Sequence, residues 1–198
     1  MISTPVIIAL LSVTALAIAG ILVYRHKRYK HFAVHQEGLV YRSAWLRPDV
    51  FSELIERHQF RTIVNLCKPG ELGEDRWNKQ RVAVTNAGCR LVELNMPFEI
   101  EPDDTKLEQH VAHFADPNNY PMLIHCQHGV TRTAKSIAIY DMVFRNMTGD
   151  QSLKSMPLFG RKWHNVNVTS FVAAFDEQVA EKWRQKMTGK LNRLKSAA

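Results

Sequence analysis

Between residues 121 and 140 an apolar run, a polar loop and a second apolar run follow one another without a break. No other stretch restricts the fold as much. Pro121, Met122, Leu123 and Ile124 suit a buried strand, and Ala134-Lys135-Ser136-Ile137-Ala138-Ile139-Tyr140 suits a helix. Between them lie His125-Cys126-Gln127-His128-Gly129-Val130-Thr131-Arg132-Thr133. A cysteine therefore sits on the turn from strand to helix, and an arginine stands where the helix begins.

This placement has chemical consequences. The first turn of a helix presents backbone N–H groups with no intrahelical partner and a partial positive charge, a setting that holds a phosphate dianion or a thiolate. A helix N-terminus or a nearby cation lowers a cysteine pKa from about 8.5 to roughly 3.5–7.5. A cysteine so placed attacks as the thiolate, and Cys126 is the expected nucleophile. The planar fork of Arg132 can grip two phosphate oxygens at once. Gly129, in mid-loop, permits the positive φ that turns successive N–H groups inward. Thr133 is placed to donate its hydroxyl proton to the sulfur. A buried structural cysteine in an α/β core is the competing reading of the same residues.

These residues resemble the signature of the cysteine-dependent protein tyrosine and dual-specificity phosphatases, His-Cys-five residues-Arg-Ser/Thr. The likeness extends over residues 38–159 through Leu39-Val40-Tyr41-Arg42-Ser43, Thr62-Ile63-Val64-Asn65-Leu66 and Asn95-Met96-Pro97, landmarks of the bacterial dual-specificity-like branch. Two positions depart from the pattern. Thr131 stands where close relatives often carry an acidic residue, and Ala134 stands where glycine is usual.

The resemblance implies two chemical steps. Cys126 attacks phosphorus and forms a phosphocysteine, which water then hydrolyses. Arg132 and the loop Gln127, His128, Gly129, Val130 and Thr131 bind the phosphate and stabilise its oxygens. His125 and Thr133 support the loop. No metal and no cofactor is called for. The general acid is expected from a loop ahead of the cysteine, where Asp104 and Asp103 are the candidates and Glu99 and Glu101 lie nearby. An aspartate just before Thr105 also suits a helix cap. Cys67 ends the strand expected beside the catalytic one. It is either an ordinary buried cysteine or, as in some lipid-phosphatase relatives, a redox partner of Cys126.

Cysteine usage agrees with a reducing setting. Cys67, Cys89 and Cys126 are the three cysteines, too few and too odd in number for a disulfide scaffold. The net charge of +7 suits a phosphate-bearing partner or an anionic membrane surface. No RNA-binding signature or basic–aromatic repeat points to nucleic acid.

Residues 5–24 carry no charge and are mostly apolar. Twenty helical residues span about 30 Å, the hydrocarbon thickness of a bilayer. Arg25-His26-Lys27-Arg28-Tyr29-Lys30-His31 follows at once. A signal peptide needs its positive charge ahead of the apolar stretch, so an uncleaved single-pass anchor fits better than an exported, cleaved chain. The positive-inside rule then puts the basic flank and the catalytic domain in the cytoplasm.

The rest of the pattern reads as an α/β fold with a mainly parallel central sheet flanked by helices, like that of the dual-specificity phosphatases. Residues 38–43 read as an edge strand, and a helix runs from Pro48 to His58. A strand covers 60–67. A helix covers 74–87 with Trp77, Val82 and Val84 inward, and another strand covers 89–94. Thr105 with Glu108 reads as a capping box. A last amphipathic helix starts near Thr169, with Phe171, Phe175, Val179 and Trp183 on one face. The implied organisation is an anchor over 1–24, a basic linker over 25–37, a phosphatase domain over 38–185 and a basic tail over 186–198. The expected substrates are phosphotyrosine and also phosphoserine or phosphothreonine in proteins. A phosphoinositide, another phospholipid or an inositol phosphate is the alternative, and a silent phosphate-binding module is a second.

Overall fold

The sheet is built from β1 (Ala33–Gln36), β2 (Val40–Ser43), β3 (Thr62–Asn65), β4 (Arg90–Glu93) and β5 (Met122–His125) in the spatial order β1-β2-β5-β3-β4. The computed structural model describes residues 4–157 and 165–196, except the side chains of residues 8, 9 and 189–196. Strands β2, β5, β3 and β4 run parallel, and β1 runs antiparallel to β2. The expected mainly parallel sheet is therefore present. Residues 38–43 are not its edge, however: β1 covers β2, and all four residues of β2 are buried.

The three central strands end level, with Ser43, His125 and Asn65 in register. Their β-branched and apolar residues are covered on both faces, as parallel strands require. The chain thus leaves β2, β5 and β3 at one sheet edge, where parallel α/β sheets place their ligands.

Among the described residues there are eight α-helices: α1 (Thr4–Tyr29), α2 (Pro48–His58), α3 (Glu74–Asn86), α4 (Leu107–Ala115), α5 (Thr131–Phe144), α6 (Gly149–Ser155), α7 (Val166–Ala174) and α8 (Glu177–Ser196). Helix α2 packs on α3, and α4, α6, α7 and α8 gather around α5. Pro48 opens α2 with its φ already helical, and Gln59 closes it in the left-handed region at φ 53°. Helix α5 is buried along most of its length. Its Asp141 is fully buried and accepts from His35 Nε2 at 2.7 Å, Arg145 Nη1 at 2.7 Å and Ser152 Oγ at 2.8 Å. Burial opposes the charge of Asp141, but these donors outweigh it and hold its pKa below the usual carboxylate range. One carboxylate thereby joins β1, α5 and α6.

Three helical expectations are corrected. Val82 faces solvent, and the inward residues of α3 are Trp77, Gln80 and Val84. Thr105 and Glu108 make no capping box: α4 starts at Leu107, and the Asp104 carboxylate instead accepts from Lys106 N at 2.8 Å. The last helix is two helices. The chain breaks after Ala174, and Asp176 restarts it by accepting from Val179 N at 2.9 Å. Helix α8 continues to Ser196, so residues 186–196 extend a helix whose Trp183 Nε1 bonds Pro102 O at 3.0 Å. Phe159, where the resemblance ends, and the side chains of Lys190, Arg193 and Lys195 lie outside the described residues.

Helix α1 is long and apolar enough to cross a membrane, and its apolar side chains are exposed. Its C-terminal end docks on α2. Arg28 Nη2 donates to Glu53 Oε2 at 2.7 Å, and Tyr29 OH donates to Glu53 Oε1 at 2.6 Å.

Candidate active site

Cys126 follows the last residue of β5 and is almost wholly buried at the floor of a cleft of about 1030 Å³. Thr133 Oγ1, on the first turn of α5, donates to Cys126 Sγ at 3.2 Å. The loop between them is fixed by its carbonyls. Gln127 O accepts from Trp45 N at 3.1 Å, and His128 O accepts from His31 Nδ1 at 2.8 Å. Gly129 O accepts from Arg42 Nη2 at 2.8 Å, and Val130 O accepts from Ala134 N at 2.9 Å. In a planar trans peptide the C=O and the following N–H point opposite ways. Four carbonyls tied outward therefore turn the N–H groups of residues 128–131 toward the inside of the loop. Such a ring of amides is an anion site.

Gly129 makes the turn possible. Its φ is +66°, and a Cβ there would lie 2.5 Å from Ala44 N and Ser43 O. Arg42, unexpectedly for a strand residue of this length, is completely buried beneath the loop. Burial pushes its pKa down to about 10, while the Cys126 and Asp141 charges pull the other way, so it is still a cation at neutral pH. A second positive charge thus lies under Cys126, and nothing in the apolar pattern announced it.

Arg132 opens α5 and points back over the strand ends. Its Nη1 and Nη2 donate to Glu71 Oε2 and Oε1 at 2.7 and 2.5 Å, and Nη1 reaches Leu66 O at 3.4 Å. The pair holds the Glu71 carboxyl below the usual carboxylate range and raises the Arg132 pKa. Glu71 is itself held by Lys68 N, which donates to its Oε2 at 3.0 Å. Glu71 is thus a positioning residue for the fork of Arg132. Sequence reading missed it because it lies in an irregular turn far from Arg132 along the chain.

His125 is buried between Trp45 and Phe51, each with its ring centroid 5.3 Å away. Gln80 Nε2 donates to His125 Nε2 at 2.7 Å, and Asn65 Nδ2 donates to Gln80 Oε1 at 3.2 Å. Burial pushes the His125 pKa down to about 3, so the ring is neutral. Cys67 lies at the end of β3, with its N–H on Asn65 Oδ1 at 2.9 Å. Burial pushes its thiol up to about 12. Cys89 is a core thiol, pushed up to about 11 by burial.

The cleft is walled by Lys68, Glu71, Phe98, His128 and Arg132, with His31 from the segment after α1. Among the described residues that line it, Glu71 is the one carboxylate. Glu99 and Glu101 line a separate cavity of about 340 Å³ beside Lys135. Asp103 is exposed, and Asp104 is turned to the Lys106 amide. The four acid candidates are thus grouped on the loop that continues from the Phe98 wall, not within the cleft. Lys135, buried on α5, fastens that loop by donating to Phe98 O at 2.9 Å. Among the described residues, no cluster of His, Cys, Asp and Glu could hold a metal ion.

The chain matches known proteins by this architecture. The family model described as "DSP-PTPase phosphatase fused to NAD+ Kinase" matches residues 24–189. No curated protein sequence matches the chain. Among solved structures, the core catalytic domain of the PP-IP phosphatase SIW14 from S. cerevisiae is 24% identical. The match covers 78% of this chain and 91% of that one, at a TM-score of 0.61. TpbA of P. aeruginosa in complex with pTyr is 20% identical over 83% of this chain and 98% of that one, at a TM-score of 0.60. A putative phosphatase from Shewanella putrefaciens is 16% identical over 81% and 95%, at a TM-score of 0.59. At these identities the solved structures show a shared fold, and the family model carries the assignment. The chain belongs to the family of DSP-PTPase phosphatases described as fused to NAD+ kinase.

Proposed function

We propose that the chain is a membrane-anchored, cysteine-dependent phosphatase that hydrolyses phosphotyrosine, and also phosphoserine or phosphothreonine, in proteins. The observation that carries this reading is the amide ring around Cys126, with Arg132 at its rim and Thr133 on the sulfur. In the first step the Cys126 thiolate attacks phosphorus. The S–P bond forms, the ester P–O bond breaks, and the leaving oxygen takes a proton from the acid. In the second step the conjugate base takes a proton from water as water attacks phosphorus. The S–P bond then breaks, the Thr133 hydroxyl supports the departing sulfur, and inorganic phosphate leaves. Asp104 and Asp103 are the proposed acids, on a loop that must close from the Phe98 wall to reach the ester oxygen.

Anchoring rests on α1, and a cytoplasmic catalytic domain rests on Arg25, Lys27 and Arg28 directly after the apolar span. A second reading, a phospholipid or inositol phosphate substrate, is favoured by one observation: His31, next to the anchor, forms part of the cleft wall. The test uses full-length protein in phosphatidylcholine nanodiscs. Phosphate release is followed from phosphotyrosine and phosphoserine peptides, a phosphatidylinositol phosphate and an inositol pyrophosphate. The expected kcat/KM favours the phosphotyrosine peptide by about tenfold or more. Fastest release from the lipid or the pyrophosphate replaces the first reading with the second, and no release from any substrate leaves a phosphate-binding module. In the same assay, Asp104→Asn or Asp103→Asn lowers phosphoserine turnover by about 10²–10⁴-fold and aryl phosphate turnover much less. If both variants turn over phosphoserine normally, another group protonates the leaving oxygen.

Cys67 is the proposed redox partner of Cys126. Its thiol lies close enough to the loop to feel the charges of Arg132 and Cys126. Held neutral by burial, it does not react with peroxide first. Peroxide oxidises Cys126 to the sulfenic acid with loss of water, and the Cys67 sulfur then displaces the hydroxyl as a second water to form the disulfide. Peptide mapping after mild peroxide is expected to find the Cys67–Cys126 link. Recovery of Cys126 as sulfinic acid with Cys67 still a thiol rules this out.

A further inference from the structure

A second basic cavity lies beside the catalytic cleft. Its volume is about 260 Å³, and Arg25, His26, Tyr29, His31, Phe32 and Arg57 line it. Among the described residues no acidic one lines it, although Arg57 reaches out to Glu53 Oε1 at 2.6 Å. His31 is common to both cavities, since it also lines the cleft that holds Cys126. We infer that this cavity binds the phosphodiester headgroup of an anionic phospholipid and that its occupancy tightens the catalytic loop through His31. The inference rests on the proposed membrane anchor.

Three observations carry it. The first is depth. Arg25 directly follows the apolar span, and from Tyr24 to Tyr29, where α1 ends, a helical rise of about 1.5 Å per residue gives on the order of 7 Å. A bilayer's headgroup layer extends roughly 5–8 Å beyond the hydrocarbon on each side. The end of α1, and with it the cavity, therefore lies at the level of the headgroups. The second is rigidity. Arg28 and Tyr29 fasten the end of α1 to Glu53 of α2 at 2.7 and 2.6 Å, so the cavity is held against the membrane surface by the domain itself. The third is connection. The chain turns sharply at Lys30 and His31, both at positive φ, where Lys30 O accepts from Ala44 N at 2.8 Å. His31 Nδ1 donates to His128 O at 2.8 Å, and the His26 ring packs edge-on against the His31 ring at 5.8 Å. A headgroup phosphate held by Arg25 and Arg57 bears on the imidazole pair, and through His31 on one of the four carbonyl ties of the phosphate loop.

The test compares full-length protein in pure phosphatidylcholine nanodiscs with protein in nanodiscs that also contain phosphatidylglycerol. The readout is hydrolysis of a soluble aryl phosphate monoester. Phosphatidylglycerol is a diester, so it is a ligand and not the monoester substrate. A negative surface alone repels an anionic aryl phosphate and slows its turnover. The inference expects the opposite sign: kcat/KM rises at least about fivefold, the low end of typical coupling between sites. The pair Arg25→Gln with Arg57→Gln is expected to lose the rise and keep the phosphatidylcholine rate. Lys27→Gln, outside the cavity, is expected to keep the rise. An equal rate in both lipids with normal turnover overturns this inference alone, and so does an equal rise from soluble glycerophosphoglycerol or loss of the rise in Lys27→Gln. No turnover in either lipid overturns the phosphatase reading itself.

Discussion

Cys126→Ser is expected to leave a folded protein that still binds a phosphotyrosine peptide and turns it over slower by on the order of 10⁴-fold or more. The serine oxygen fits where the sulfur lies, since the Thr133 hydroxyl at 3.2 Å and the loop carbonyl ties do not depend on sulfur. What changes is the nucleophile. A serine hydroxyl is not ionised at neutral pH, and the neighbouring histidine cannot take its proton. His125 carries its Nε2 on Gln80, inside the fold and away from the cleft, and burial pushes its pKa down to about 3. His125 is therefore not placed to activate a serine, in contrast to the histidine of a Ser–His pair. The loss falls on kcat and spares peptide affinity, because Arg132 and the amides still grip the phosphate. Steady-state kinetics beside a binding titration separates the two. A serine variant with wild-type kcat means that the sulfur is not the nucleophile, and one that no longer binds peptide means that the sulfur also shapes the loop.

How far the sequence reveals this site depends on what kind of residue carries each part. The strand, the loop and α5 are legible because apolar periodicity, Gly129 and the Cys126-to-Arg132 spacing all lie within one local stretch. Strands β3 and β4 are legible for the same reason. β1 is not: Ala33-Val34-His35-Gln36 has no alternation of its own and becomes a strand by pairing with β2. The break between α7 and α8 hides because the spacing of Phe171, Phe175, Val179 and Trp183 continues across it, while the local signal is the single cap at Asp176.

The site's support is harder still to read. Gln80, Arg42 and Lys135 are polar residues facing inward, which a hydrophobic pattern assigns to the surface. Their partners, His125, Gly129 and Phe98, are distant along the chain. Val82 was expected inward where Gln80 points inward, because the polar contact to His125 fixes which face of α3 turns to the sheet. Glu71 and His31 are likewise recognised only once the fold has brought them to Arg132 and His128. Cys126 and Arg132 could be read locally, whereas the groups that hold their loop and side chains are set by tertiary contacts.

Gly129→Ala is expected to lower kcat/KM for aryl phosphate by about 10²–10³-fold while the protein still folds. Two costs meet at this position. The left-handed backbone conformation, at φ +66°, costs an alanine on the order of 1–2 kcal/mol. The new methyl carbon also meets backbone, at 2.5 Å from both Ser43 O and Ala44 N, with no flexible side chain there to give way. Ser43 is locked in register with His125 of β5, and Ala44 N and Trp45 N are engaged by Lys30 O and Gln127 O. The strand end cannot retreat, so the loop must. A shift of about 1 Å is enough to cost about 10²-fold, and losing one donor to the transition-state oxyanion costs about 10²–10³-fold. Gly38→Ala is the control. Gly38 has φ +71°, but its Cβ would meet nothing within 4 Å. That variant should lose about 1 kcal/mol of stability and no activity. Thermal melts and kcat for the two variants, measured together, isolate the contact from the conformation. If Gly129→Ala works at the wild-type rate, the loop is free to move, and the four carbonyl ties do not hold the phosphate site in shape.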